Sequence, residues 1–188
     1  GGAILNRLNV HLEDANSRKS VNSKEKQKIA QMAYDLIEPN MTVFLDISTT
    51  NIELAKLLVL RPISGITVVT NMLDVIQILS TSQIHSIFIG GEFDYARNGF
   101  VGNMCDEFLQ RFHFDLAFLG VVGIDLESKS VMTYMPNDGQ TKRIVLKQSK
   151  KAYMLADSDK FYQIGNYEYA KVDEFYGILQ TIKNNKKQ

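Results

Sequence analysis

The 188-residue chain has one cysteine, no long apolar run and no excess of charge of either sign. A single thiol, Cys105, excludes an intrachain disulfide framework and any zinc site built on thiolates, and it fits a reducing cytoplasm. Cys105 itself reads as a small buried hydrophobe. Lys plus Arg and Asp plus Glu both number 21. No overall basic field therefore draws in nucleic acid, and no acidic field marks a solvating tail. The longest uninterrupted apolar run, Leu116 to Ile124, falls well short of the roughly 20 residues that span a bilayer, and no charged-then-apolar signal segment opens the chain. A membrane partner is not expected.

Signature motifs are also lacking. His11, His85 and His113 stand too far apart for a His-x2-His or His-x3-His ligand pair, and no metal or cofactor is expected. There is no GxSxG elbow, no Walker loop and no GxGxxG at a strand-helix turn; "GVVGID" (120–125) carries only an isolated glycine pair.

What the chain does have is a core and a rhythm. At 45% hydrophobic and 22% charged residues, it can bury a substantial core in one globular domain. Residues 1–22 are polar and weakly patterned, a linker or extended lead-in. Order is expected from Ser23, where Glu25 and the apolar positions Ile29, Met32, Ala33, Leu36 and Ile37 describe an amphipathic helix stopped by Pro39. Five apolar runs of strand length follow: "TVFLD", "ITVVTN", "IHSIFIGG", "FDLAFLG" and "KAYMLAD". They alternate with helix-length segments at 51–60, 72–81, 103–111 and 139–149. This is the pattern of βαβ units, and it predicts an α/β fold: a mainly parallel Rossmann-like sheet with helices on both faces. Residues 183–188 form a short basic tail. The stretches 92–101 and 127–138 carry no readable pattern.

In such a sheet, ligands collect at the carboxyl ends of the strands. Here those ends are polar or bare: Asp46 with Ser48, Thr49 and Thr50; Thr70 with Asn71; Gly90 with Gly91; Gly120 and Gly123; Asp157 with Ser158 and Lys160. Each has a plainer explanation as a helix cap or a turn. Together they suit a crevice for a phosphorylated sugar. Hydroxyls and free N–H groups at a helix start hold a phosphate, a lysine adds a point charge, and carboxylates and amides grip sugar hydroxyls. Lys160 is the expected phosphate partner, and Lys142, on the helix after Asp138, is a second cation.

The order of these motifs resembles the sensor domain of DeoR-family transcriptional regulators. The resemblance rests on "GGA" (1–3), "EKQKIAQMA" (25–33), "FLDISTT" (44–50), "VVTN" (68–71), "IGG" (89–91), Gly102, "DLAFLGVVGID" (115–125), "TKR" (141–143) and "LADSDKF" (155–161). It implies a fold similar to ribose-5-phosphate isomerase and glucosamine-6-phosphate deaminase, and a phosphorylated-sugar effector. It also implies a homo-oligomer, and DNA contact only through an N-terminal winged helix-turn-helix that would precede residue 1. On that reading residues 1–22 are the linker, 23–182 the sensor and 183–188 the tail, and the setting is the cytoplasm. The family's phosphate loop falls on Asp46, Ser48, Thr49 and Thr50, with Ser48 where glycine is usual. Its Thr-Asn pair falls on Thr70 and Asn71, its glycine pair on Gly90 and Gly91, and its last site on Asp157 and Lys160, with Asp159 where serine is common. Asp138 and Gly139 stand where Glu-Ala is usual, ahead of Lys142.

The alternative is a sugar-phosphate isomerase or deaminase. That chemistry moves a proton beside a carbonyl and needs a carboxylate base within reach. In the isomerases the chain resembles, a glutamate directly precedes the lysine at the Lys142 position. Thr141 stands there and cannot be that base, which leaves Asp138 or Asp125 as a displaced one. The expectation is a repressor's sensor without catalysis. A purely structural module would leave the five polar strand ends unexplained.

Overall fold

A computed structural model describes residues 15–181. "GGA", His11 and the 183–188 tail lie outside the described residues. The first elements are α1 (Ala15–Ser20) and α2 (Ser23–Asp35). Regular structure thus begins ahead of Ser23, within the stretch read as an extended lead-in. Asn22 joins the two helices in the left-handed region, φ 53°, which asparagine tolerates better than most residues.

Next come β1 (Thr42–Leu45), α3 (Thr49–Leu60), β2 (Thr67–Thr70), α4 (Leu73–Leu79) and β3 (His85–Phe88). A hairpin, β4 (Glu92–Asp94) and β5 (Gly99–Val101), leads to α5 (Asn103–Leu109) and β6 (Phe114–Gly120). Then follow β7 (Gly123–Asp125), β8 (Ser130–Thr133), α6 (Pro136–Lys147) and β9 (Ser149–Ala156). The described chain closes with a 3-10 turn (Ser158–Tyr162), β10 (Tyr167–Lys171), a second 3-10 turn (Val172–Glu174) and β11 (Gly177–Gln180).

Six strands form one sheet in the order β11-β9-β6-β1-β2-β3, and every neighbouring pair is parallel. The five apolar runs are β1, β2, β3, β6 and β9. Strand side chains alternate between faces. Val43, Leu45, Val68, Leu116 and Phe118 therefore pack under α2, α3 and α4, with Ile29, Leu54, Leu58 and Val75. Phe44, Val69, Ala117, Leu119 and Met154 meet the opposite layer, with Cys105 and Leu109 of α5 and Ile144 and Val145 of α6. Both faces are covered, which is why these strands read as continuous apolar runs.

Helix boundaries moved most at α6, expected over 139–149. It starts at Pro136, since a proline at the first helical position loses no hydrogen bond, and Ser149 already belongs to β9. The unreadable stretches hold β4, β5 and β8. The last of these forms an antiparallel three-stranded sheet, β10-β8-β7, outside the main one.

Candidate functional site

The chain builds outward from β1 through β2 and β3, then returns to lay β6, β9 and β11 on the other side. Loops at the carboxyl ends of β1 and β6 thus diverge to opposite faces and leave a crevice between them. Its base is Asp46. That carboxylate accepts hydrogen bonds from the Gly120 N–H (2.9 Å) and the Asn51 amide (2.9 Å), and pairs with the Lys142 ammonium. The Asn51 amide also donates to the Phe118 carbonyl (3.0 Å), tying the ends of β1 and β6 together. Asp138, one turn before Lys142 on α6, lies 3.9 Å from the same ammonium and accepts from the Thr133 hydroxyl.

Asp46, Asp138 and Lys142 are 2%, 3% and 5% exposed, so two carboxylates share one ammonium almost out of water. Burial pulls the Lys142 pKa down, but Asp138 and Asp46 more than reverse this and hold it above its ordinary value. Burial raises the Asp46 carboxyl, against the pull of Lys142. The Lys142 ammonium lines the cavity, but Asp46 already engages it.

Above this base, Ser48, Thr49 and Thr50 start α3 and line the cavity. Ser48 makes no side-chain capping bond, and the three hydroxyls have no hydrogen-bond partner among the described residues. The Ser48 N–H turns back to Asp46 (2.8 Å) and the Asn51 N–H bonds Ser48 (3.0 Å). This leaves Thr49 and Thr50 to present the helix's first donors, where the macrodipole is positive. Gly120 must be glycine here, because a Cβ would sit 2.7 Å from the Ser48 Cβ.

Four more cations line the same cavity: Arg18 from α1, Lys26 from α2, Arg97 from the β4–β5 turn and Lys160 after β9. Burial lowers the Lys26 pKa to about 8, and its ammonium donates to the Arg18 carbonyl. Burial also lowers Lys160, against the pull of Asp157 and with the help of Arg18 and Arg97. The Arg97 guanidinium stacks 3.6 Å from the centre of the Tyr134 ring, whose hydroxyl donates to Asp94. Asp157 and Asp159 also line the site and are held by the Asn22 amide at 3.3 and 2.7 Å.

Of the expected residues, Ser48, Thr49, Thr50, Gly120, Asp138, Lys142, Asp157 and Lys160 line the cavity, and Asp46 lies directly beneath. Five others are placed off its wall. The Thr70 hydroxyl accepts from the Met72 N–H (3.1 Å) and closes the turn into α4, and the Asn71 amide donates to the Phe100 carbonyl (2.8 Å) and anchors the β4–β5 hairpin. Gly90 and Gly91 form the turn from β3 into that hairpin. Gly123 allows the backbone at Gln163 to pass, since a Cβ would meet its carbonyl oxygen at 2.0 Å.

Asp125 caps an exposed turn, accepting from the Glu127 N–H (2.9 Å) and the Ser128 hydroxyl (2.7 Å). The Thr141 hydroxyl donates to Asp106 of α5 at 2.6 Å. Cys105 is buried, and burial with Asp106 nearby pushes its thiol up to about 12. Among the described residues, no cluster of three metal-ligating side chains occurs, and no helix is long and apolar enough to cross a membrane.

Arg18, Lys26 and Arg97 were not anticipated. Lys26 had a signal: it shares the buried stripe of α2 with Ile29, Ala30 and Ala33, and a cation on an apolar stripe needs a partner. Arg18 and Arg97 lay in stretches without pattern.

Fold and crevice together define a class: a doubly wound α/β domain with a crevice at the strand-order switch. Ribose 5-phosphate isomerase A of Methanocaldococcus jannaschii shares this fold, with TM-score 0.52 and 17% identity over 74% of this chain and 55% of that one. Within the class, the chain belongs to the DeoR C terminal sensor domain family, which matches residues 21–180. The HTH-type transcriptional repressor GlcR of Bacillus subtilis is 33% identical over 93% of this chain and 66% of its own length. The glycerol-3-phosphate regulon repressor of Escherichia coli is 30% identical over 86% of this chain and 63% of its own length. The chain therefore spans a little under two thirds of these relatives.

Proposed function

We propose that this chain is the effector-sensing part of a transcriptional repressor of sugar metabolism, and that its effector is a phosphorylated sugar bound in the crevice above Asp46. The observation that carries this reading is the start of α3: three uncommitted hydroxyls and the helix's first N–H groups face a cavity lined by Lys26, Lys160, Arg18 and Arg97. A phosphate dianion suits that arrangement without a metal. The name of the glycerol-3-phosphate regulon repressor is consistent with a phosphorylated polyol or sugar as the recognised class. Asp138, Asp157 and Tyr134 supply the polar groups that would orient hydroxyls.

The bound sugar stays intact on this reading. Thr141 is committed to Asp106, and Asp125 lies in an exposed turn. Of the two candidates for a displaced base, Asp138 lines the cavity and keeps an isomerase-like alternative open. DNA contact would belong to a part of the protein preceding this domain. Pairing of half-sites would require a homo-oligomer, working in the cytoplasm.

Calorimetry with glucose 6-phosphate, glucosamine 6-phosphate and glycerol 3-phosphate, each beside its dephosphorylated counterpart, tests the proposal. At least one phosphorylated ligand should bind tenfold or more tightly than its counterpart, about 1.4 kcal/mol. Thr50→Ala and Lys160→Ala should each remove about 1–3 kcal/mol of that binding. Equal binding of both forms would sink the phosphate reading, and an isomer or ammonia appearing on prolonged incubation would make the protein an enzyme.

A further inference from the structure

Helix α1 precedes the matched family region, which starts at residue 21, yet it forms part of the crevice. Arg18 lines the cavity, and its charge acts on Lys26 and on Lys160. The Lys26 ammonium donates to the Arg18 carbonyl, so α1 rests on a buried cation of α2. The next residue, Lys19, pairs with Asp74 of α4 at 2.6 Å, and the other oxygen of Asp74 accepts from the Asn98 amide at 2.8 Å. Asn98 turns the β4–β5 hairpin with φ 56°, directly after Arg97. One polar bridge, Lys19–Asp74–Asn98, thus joins the two segments that carry Arg18 and Arg97 into the cavity. Just past the C-terminal end of α1, the Asn22 amide holds Asp157 and Asp159 beside Lys160.

We propose that α1 is a strap over the crevice: Arg18 is an anion-binding residue, and the Lys19–Asp74–Asn98 bridge makes α1 and the β4–β5 hairpin tighten together when an anionic ligand binds. This rests on the reading that the crevice takes a phosphorylated ligand. Six residues are too few for a helix to hold itself in water. The position of α1 therefore depends on tertiary contacts, and elements held that way open most easily. Like charges act between Arg18, Lys26, Arg97 and Lys160 across the cavity, with Asp157 and Asp159 offsetting part of this, and an anion bound among them adds attraction to each. A ligand moves an equilibrium only through contacts that differ between its two states. Arg18 supplies such a contact, because it comes with α1. Crevice occupancy would then set the position of the chain that leads back to residues 1–14.

Hydrogen exchange of this chain, with and without saturating inorganic phosphate or glucose 6-phosphate, tests the strap. Exchange should slow at least threefold over residues 15–22 and 94–99, as well as over 47–51 and 158–162. Arg18→Ala should weaken phosphate binding about tenfold and abolish protection at 15–22 while leaving protection at 47–51. Lys19→Met, a half-exposed position outside the cavity, should at least halve the protection at 15–22 without changing that at 47–51. Protection at 47–51 and 158–162 with none at 15–22 overturns the strap and spares the phosphate site. Protection nowhere overturns both.

Discussion

Replacing Lys142 with methionine keeps most of the length of the side chain and removes the one cation shared by Asp46 and Asp138. The ammonium pairs with Asp46 and stands 3.9 Å from Asp138, and all three groups are buried. Without it, Asp46 keeps only the Gly120 N–H and the Asn51 amide, and Asp138 keeps the Thr133 hydroxyl. Neither set neutralises a charge. Removing one partner of a buried ion pair typically destabilises by about 3–5 kcal/mol. For a domain of this size 1 kcal/mol moves Tm by about 2–4 °C, so a fall of about 6–20 °C is expected at pH 7. The sign of the pH dependence is also fixed. Asp46 already sits above its ordinary value of 3.8, because burial outweighs Lys142, and losing the lysine raises it further. A carboxyl that is weaker in the folded state binds extra protons there, so stability falls as pH rises above the unfolded value. The deficit of Lys142→Met should therefore shrink from pH 8 towards pH 5. Adding Asp46→Asn should recover at least half of it, which a double-mutant cycle will read as coupling. Circular dichroism melts and urea titrations at both pH values provide the assay. A variant within about 0.5 kcal/mol of the unsubstituted chain, the range of a surface change, would refute the reasoning.

Two further outcomes follow from the same cavity. Burial lowers Lys26 from 10.5 to about 8, Asp157 opposes this, and Lys160 and Arg18 add to it. The folded chain therefore holds fewer protons than the unfolded chain between those pH values, and the stability of the unsubstituted chain relative to Lys26→Met should rise from pH 8 to 10. Over the same window its affinity for a phosphorylated ligand should fall; parallel urea midpoints for the two chains would contradict this. Gly120→Ala should destabilise by about 1–3 kcal/mol through overpacking, since its Cβ would meet Ser48 at 2.7 Å. Adding Ser48→Gly should restore most of that loss in thermal melts; a Gly120→Ala chain as stable as its parent would show that α3 shifts freely.

Much of the candidate site was legible because the chemistry of a strand end is local. Asp46, Ser48, Thr49, Thr50, Gly120, Asp157 and Lys160 could be found from where each apolar run stops; all but Asp46 line one crevice, and Asp46 lies beneath it. Thr70, Asn71, Gly90, Gly91 and Gly123 stop apolar runs in the same way, yet they serve the turn into α4, the β4–β5 hairpin or a close backbone approach. Nothing in their own sequence separates the two roles, because the hairpin that claims them lies in a stretch with neither period 2 nor period 3.6. The edge strand β11 was missed for a related reason: "GILQ" is short and only partly buried, and pairing with β9 makes it a strand.

By itself the sequence determined the α/β class, five of the six strands of the main sheet, and the polar groups at their ends. Periodicity and composition are properties of neighbouring residues, and burial on both faces writes itself into continuous apolar runs. Only the tertiary structure decided which cations face the crevice. Lys142, the expected second cation, is drawn down by Asp46, 96 positions away in the chain. Arg18 and Lys26 enter the cavity from α1 and α2, and Arg97 enters it from the β4–β5 turn, far from both in sequence. The electrostatic state of a buried charge depends on distance and desolvation rather than on chain order, and neither quantity exists until β1 and β6 pair and α6 packs beneath them.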